Sequence, residues 1–341
     1  LWRSSGQVRR MIQPLIAGSI GMFWRVCMIL LVLLLASCSG PKEPLRIGLN
    51  AWPTFEFLYL AEQLGFYRDE GVKVKVVTFS SLADSQRAFE RNQLDLMGST
   101  LVEPLLVRET SAVAPVVIYA LDYSNGGDML LARKDIPDVA SLRGKRLALE
   151  GRSGDILTAH FALASAGLGF KDVQVHDLPQ ANGVQAFLAG KIDAIQTYPP
   201  FAVELLNSGK AHALFDTRKA PGKVLDVLVA TQDSVAQRSK ELAGVLRALT
   251  RAMAYRQQHP DQADAIMAKR EGLSVADFRS GMAGVQLLRP ADQDVYLHQG
   301  RMQQALVDAH GVLQYLGQVR AKPACGRECV SHGPFLASRV Q

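Results

Sequence analysis

A β-like run followed by a single helical run is the unit this chain repeats, and the series breaks off and restarts after Met129-Leu-Leu-Ala-Arg133. Leu45–Leu49 and Val72–Phe79 alternate apolar and polar residues, as half-buried strands do. Helical runs separate them from a short strand at Asp95-Leu-Met-Gly98 and a nearly apolar one over Ala114–Ala120. After the restart, strands are expected within Leu142–Glu150 and at Val173–Leu178, Ile192–Tyr198, Ala211–Phe215 and Val224–Ala230. Helices over Ser239–Gln258, Pro260–Arg270, Ser274–Gly284 and Gln293–Leu316 fill the remainder. Strands joined through single helices imply right-handed crossovers and a mainly parallel sheet in each unit. The loops at the C-terminal strand ends then line one crevice. Because Met129-Leu-Leu-Ala leaves the first unit and Leu225-Asp-Val-Leu-Val-Ala re-enters it, two crossing strands join two α/β lobes as a hinge around a closable cleft.

The ends differ from this body. Arg25 precedes an apolar run from Val26 through Leu35, short for a bilayer span, and Leu35-Ala-Ser-Cys38 follows. A basic flank, an apolar core and small residues before a cut site are what export requires. Cys38 is expected to carry lipid on its sulfur and on its freed amino group, which holds the mature protein at the periplasmic face of the inner or outer membrane. Residues 1–37 read as an over-extended start plus a lipoprotein signal peptide, with Met11 or Met22 the expected start. Residues 319–341 lack apolar periodicity and read as a disordered tail.

Charge follows the same division. Leu1–Ser37 holds four Arg and no acid, and Arg320–Gln341 carries +3; subtracting +4 and +3 from the chain's +6 leaves −1 for Cys38–Val319. A nearly neutral body makes nucleic acid an unsuitable partner. Cys27 lies in the signal, and Cys325 and Cys329 either pair in an oxidising compartment or join His332 in a weak metal constellation. No fourth ligand is evident, so no metal is expected.

Ile47-Gly-Leu-Asn-Ala-Trp-Pro53 with Leu60-Ala-Glu-Gln-Leu-Gly-Phe-Tyr67, Gln93-Leu-Asp-Leu96, Leu142-Arg-Gly-Lys-Arg-Leu-Ala-Leu149 and Ala189-Gly-Lys-Ile-Asp-Ala194 follow one another at specific spacings. Together they resemble a type II periplasmic binding protein of an ABC importer, more narrowly the nitrate, sulfonate, taurine and thiamin-precursor group. The resemblance implies an α/β, two-lobe fold, with residues 38–131 and 228–318 as lobe 1 and 132–227 as lobe 2. It further implies a monomeric receptor that captures a small solute and delivers it to a permease and ATPase, without cofactor or chemical conversion. Gly65, Gly144 and Gly190 read as turn formers, and Asp95 and Asp193 as turn or capping groups.

Candidate ligand contacts sit at strand ends. Trp52, Phe55 and Tyr198 offer aromatic faces that either hold a planar ring or ammonium or pack the lobes together. Asp122, Tyr123, Asp128 and Asp226, with Glu56 and Glu103 nearby, suit a cationic or hydroxyl-rich ligand, or else secure the hinge. An anionic solute instead asks for Ser81, Ser99, Thr100, Arg152 and Ser153, each next to an expected helix start. The balance of acids favours an amine-bearing or heteroaromatic metabolite.

Catalysis is not expected. The related yeast pyrimidine synthases carry a cysteine-rich iron motif that a cysteine-free body lacks. No Gly-x-Ser-x-Gly elbow or His-Glu-x-x-His pair is present either, and His160 and His176 are isolated. A sensor that presents its closed form to a membrane signalling protein needs the same cleft and hinge and is the alternative output.

Overall fold

A computed structural model of the protein describes residues 43–320 and 326–339; the signal, Cys38 and Cys325 lie outside them. The chain first builds β1 (Leu45–Leu49), α1 (Glu56–Gln63), α2 (Phe66–Asp69), β2 (Val74–Thr78), α3 (Leu82–Glu90), β3 (Leu96–Thr100), α4 (Val102–Thr110) and β4 (Pro115–Ser124). It continues with β5 (Met129–Arg133), β6 (Arg146–Leu149), α5 (Asp155–Ala164), β7 (Gln174–Asp177), α6 (Gln180–Leu188), β8 (Ala194–Thr197), α7 (Phe201–Asn207) and β9 (Ala211–Asp216). It returns through β10 (Leu225–Thr231), α8 (Gln232–Gln237), α9 (Ser239–Gln258), α10 (Pro260–Glu271), α11 (Val275–Ala283), β11 (Val285–Leu287), α12 (Gln293–Leu297), α13 (Arg301–Tyr315) and α14 (Gly333–Ser338).

Two sheets result, ordered β11-β4-β10-β3-β1-β2 and β7-β6-β8-β5-β9. β1 runs parallel to β2 and β3, and β6 to β7 and β8. The mainly parallel expectation fails beside the crossings. β10 is antiparallel to β3 and β4, and β5 to β8 and β9. A strand arriving from the other lobe enters its sheet from the cleft side, so it must run against the neighbours it meets. All seven residues of β10 are buried, as a central strand requires.

The lobes are joined by links over 125–128 and 217–224, the second opening with a 3-10 turn at Thr217–Lys219, and not within Met129-Leu-Leu-Ala and Leu225-Asp-Val-Leu-Val-Ala, where the crossing strands were expected. Lobe boundaries at 131/132 and 227/228 would cut β5 and β10, so the joints belong at these links. Asn125 and Gly127 donate their backbone N–H groups to Gly284 O at 2.9 and 2.8 Å. A Cβ on Gly284 would stand 2.7 Å from Gly127 N, so this close approach requires glycine.

Both lobes anchor their first parallel strand with the same ion pair. Arg46 in β1 donates its backbone N and Nε to Asp95 Oδ2 at 2.8 and 2.9 Å and its Nη2 to Oδ1 at 3.1 Å. Arg146 in β6 makes the equivalent bonds to Asp193 at 2.9, 2.9 and 2.8 Å. The two Asp residues therefore tie one strand to the start of another, which explains their recurrence in Gln93-Leu-Asp-Leu96 and Lys191-Ile-Asp-Ala194.

The disordered-tail expectation is overturned for residues 326–339. Val330 bridges to Val117 of β4, Ser331 N donates to Val117 O at 2.9 Å, and Phe335 packs edge-on against Tyr119 at 6.1 Å. β11 pairs only with Asp122–Ser124, which leaves the first half of the β4 edge for this segment to cover. Cys329 is buried and disulfide-bonded, its partner outside the described residues, so a few anchored side chains replace the missing periodicity. The single helix expected over Gln293–Leu316 is likewise split, at His298–Gly300, into α12 and α13.

Hydrogen bonds from Arg146 hold the Asp193 carboxyl at about 2. That stability is present above the unfolded Asp value and is lost as pH falls toward about 2. Asp193→Asn should lower the unfolding free energy at neutral pH by about 2 kcal/mol, the range of hydrogen bonds to charged groups. Urea denaturation measures this, and a loss below about 0.5 kcal/mol, the scale of exposed ion pairs, contradicts the role.

Candidate functional site

The loops that end β1, β2, β6 and β8 meet the crossing link 125–128 and the facing ends of β3 and β10 around one enclosed cavity. Its volume is about 10 Å³, room for roughly one water. Organic ligands occupy pockets of about 300 Å³ or more. The lobes are thus shut tightly, and a solute can enter only by opening them. A cavity of about 790 Å³ lies elsewhere, between α5, α13 and the 217–224 link. It draws nothing from the loops that end β1, β3, β6 and β8, and its Lys223 and Asp308 are paired with each other at 3.3 Å. The small cavity is the functional candidate because the fold converges polar groups there.

Of the residues expected at the site, Trp52, Phe55, Thr100, Asp128, Tyr198 and Asp226 line the cavity. Trp52 and Tyr198 come from opposite lobes and meet edge-on, with centroids 5.8 Å apart and planes at 75°. They touch each other, so in the closed state no ring lies sandwiched between them. Phe55 lies on Gly98 of β3, where a Cβ would come within 3.0 Å of the ring. Asp122 sits behind the wall, accepting from Trp52 Nε1 at 3.3 Å and from Thr54 Oγ1.

The other expected residues stand outside the cavity lining. Ser81 N-caps α3, accepting from Asp84 N at 3.1 Å. Ser99 Oγ donates to Glu103 Oε2 at 3.0 Å, and Ser153 Oγ donates to Glu150 O at 3.1 Å. Tyr123 falls on the sheet face opposite its neighbour Asp122. Arg152 stands 3.6 Å from Glu90 at the C-terminal end of α3, an ion pair between lobes. Glu56 accepts a hydrogen bond from Arg270 Nη1 in the core. Asn50, Leu82, Gly154 and Asp155 also line the cavity and were not singled out. Their signal was positional: Asn50 directly follows β1, and Gly154-Asp155 opens α5 after β6.

Glu103 makes a buried bond between the lobes. Its Oε2 accepts from Thr100 N at 2.9 Å and Thr100 Oγ1 at 2.6 Å, while its Oε1 accepts from Gly154 N across the cleft at 2.9 Å. A Cβ at Gly154 would come within 2.4 Å of Thr100 Cγ2, so closure needs glycine there. Asn50 Nδ2 reaches Tyr198 OH at 3.4 Å as a second contact between lobes.

Acidic groups crowd this joint. Burial pushes Asp122 up to about 6 and Asp128 and Glu150 up to about 7. Burial, then the charge of Asp122, carries Asp226 well above the ordinary range, and burial with Glu150 does the same to Asp155. Asp226 and Asp122 face each other across β10 and β4. Of the two, Asp122 has the hydrogen-bond donors, so Asp226 is the one that stays protonated.

A family description, NMT1/THI5-like, matches residues 52–263, more than half of the sequence. The chain belongs to the NMT1/THI5-like family. Relatives include a protein of Brucella abortus (strain 2308), provisionally named a binding protein, 25% identical over 66% of this chain and 71% of its own length. A protein of Escherichia coli (strain K12), provisionally named for binding aliphatic sulfonates, is 26% identical over 70% and 74%. A Haemophilus influenzae protein provisionally named for thiamine biosynthesis is 25% identical over 68% and 74%.

Among solved structures, the alkanesulfonate-binding protein of Xanthomonas axonopodis pv. citri bound to MOPS superposes with a TM-score of 0.75, at 19% identity over 86% of this chain and 99% of that one. The fold is that of the periplasmic binding proteins. A desulfurization enzyme shares it at a TM-score of 0.64 and 16% identity over 86% and 98%, a likeness of fold alone. The relatives of this NMT1/THI5-like chain named for binding are consistent with a receptor.

A carboxyl whose folded value is raised binds protons that the unfolded chain releases, so its contribution to stability falls as pH rises through the window from about 4 to about 7. Glu56 and Glu271, pushed by burial to about 9 and about 7, add to the slope from outside the cleft. Asp128→Asn isolates the cleft share. Its melting temperature should exceed the parent's at pH 7.5 and match it near pH 4.5; an equal difference at both pH values contradicts the assignment.

Proposed function

We propose that the protein is a lipid-anchored receptor at the periplasmic face of a bacterial membrane, one that closes two lobes over a small organic solute and delivers it to the permease and ATPase of an ABC importer. The observation that carries the reading is the cavity where loops from both lobes converge, with Glu103 of one hydrogen-bonded to Gly154 of the other. Family membership and the sulfonate- and thiamine-related names of relatives support it.

Residues 129–216 move against the remainder as one body, with 125–128 and 217–224 absorbing the rotation. Solute entering the open cleft adds contacts available only on closing, and that differential affinity shifts the population toward the closed form a permease reads. The shut cavity is the closed end of this equilibrium. Cys38, outside the described residues, holds the receptor near its permease by acyl chains.

Trp52→Ala with Tyr198→Ala should remain folded while losing most solute-induced thermal stabilisation, since native-state ligands raise the melting temperature. A screen of amines, pyrimidines, vitamins, sulfonates and nitrate by thermal shift reads this, and parent-like shifts in the double variant place the cleft elsewhere. Cys38→Ser should move the protein from the membrane to the soluble periplasmic fraction; unchanged partitioning removes the anchor.

A further inference from the structure

In this fold an anionic solute would be met by backbone N–H groups at the helix starts around the cleft. Here those donors are taken by the chain's own oxygens. Thr100 N and Gly154 N donate to Glu103, and Val102 N donates to Thr100 Oγ1 at 3.1 Å. Glu150 N donates to Asp155 Oδ2 at 3.0 Å, Gly151 N to Asp177 at 2.9 Å, and Asp84 N to Ser81 Oγ. No Lys, Arg or His is among the described residues lining the cavity, and Arg152 is engaged by Glu90.

What lacks partners is of the opposite kind. Asn50 Oδ1 is a buried acceptor without a donor, on a cavity-lining residue only 2 % exposed, and the neighbouring Asp226, 4 % exposed, has a proton in place of a counter-charge. Gln180 Oε1 and Gln196 Oε1 behind them also lack a donor. Leaving a buried acceptor unpaired costs its full desolvation penalty, so the closed site is short of donors and of positive charge.

We propose that the solute is a small organic cation rich in N–H donors, an ammonium or amidinium, whose N–H groups satisfy Asp226, Asp128 and Asn50 while its carbon skeleton lies against Trp52, Phe55 and Tyr198. This rests on the two-lobe receptor reading and names its ligand class. Hydrogen bonding sets it apart from a quaternary ammonium, which offers charge without donors. It also sets it apart from a sulfonate, which brings only more acceptors to a site that has too many.

Binding of such a cation exchanges charge for charge. A protonated carboxyl in the cleft releases its proton to solvent and pairs as carboxylate with the incoming cation. The groups facing this exchange are Asp122 on β4, Asp226 on β10, Asp128 on the link, Glu103 on α4, Asp155 on α5, Glu150 after β6 and Tyr198 after β8. Protons and cation therefore compete, and affinity rises with pH.

The test uses the purified full chain with acetamidine, ethylenediamine and agmatine as N–H cations, and tetramethylammonium and ethanesulfonate as controls. Thermal shift and calorimetry in two buffers of different ionisation enthalpy are read near pH 5.5 and pH 7.5. At least one N–H cation should raise the melting temperature, bind about tenfold tighter at the higher pH and release a proton. Asp226→Asn should weaken it about tenfold or more and reduce the release, which a merely structural residue would not do. No shift from any N–H cation, or an equal shift from tetramethylammonium, overturns the proposal. A shift from ethanesulfonate alone also overturns it and leaves the receptor reading standing, since the Trp52 and Tyr198 double variant tests that reading separately.

Discussion

Carboxyl groups taken out of water between two lobes impose the constraint around which the rest of this molecule is arranged. Desolvating a carboxylate costs several kcal/mol unless donors, a counter-charge or a proton replace the water. Glu103 is supplied with donors from Ser99, Thr100 and Gly154, and the last of these exists only while the lobes are shut. Asp122 is supplied by Trp52 and Thr54. Asp226 has neither, and it keeps a proton instead.

That arrangement couples shape to occupancy. The two links are held by a few backbone bonds to Gly284 and are tied to each other through Thr217. The sheets are rigid where they need to be, because Arg46–Asp95 and Arg146–Asp193 fix the first parallel strand of each. Opening the cleft breaks contacts of one kind only, those that cross it, and exposes acids that water then solvates. Closing again requires something to stand in for that water. The chain is a solute-binding protein of the NMT1/THI5-like family, and the proposed ligand site lies at the point where closure is costliest.

Much of this was legible in the residues. Alternation marked β1 and β2, a nearly apolar run marked the buried β4, the restart after Met129 marked a second sheet, and the strand-end rule brought Trp52, Phe55, Asp128, Tyr198 and Asp226 to one cavity. What could not be read has a common cause in tertiary pairing. The direction of β10 and β5 depends on which side of a sheet the returning chain enters, which periodicity does not encode. The tail segment folds because half of the β4 edge is left uncovered, a vacancy visible only once the sheet exists. Arg152 reads as an anion ligand from its loop, yet Glu90 of the opposite lobe claims it. Ser81, Ser99 and Ser153 precede helices as anion-binding residues do, and in each case a neighbouring group in the same turn takes the hydrogen bond.

Small-angle X-ray scattering of the unliganded protein near pH 5 and near pH 8 tests the central claim most directly, because it reads lobe separation without any choice of ligand. With Asp122 at about 6 and Asp128 and Glu150 at about 7 in the shut cleft, the account predicts a compact particle at the lower pH and a measurably larger radius of gyration at the higher one. The same radius at both values would contradict it and would mean that the buried acids do not govern closure.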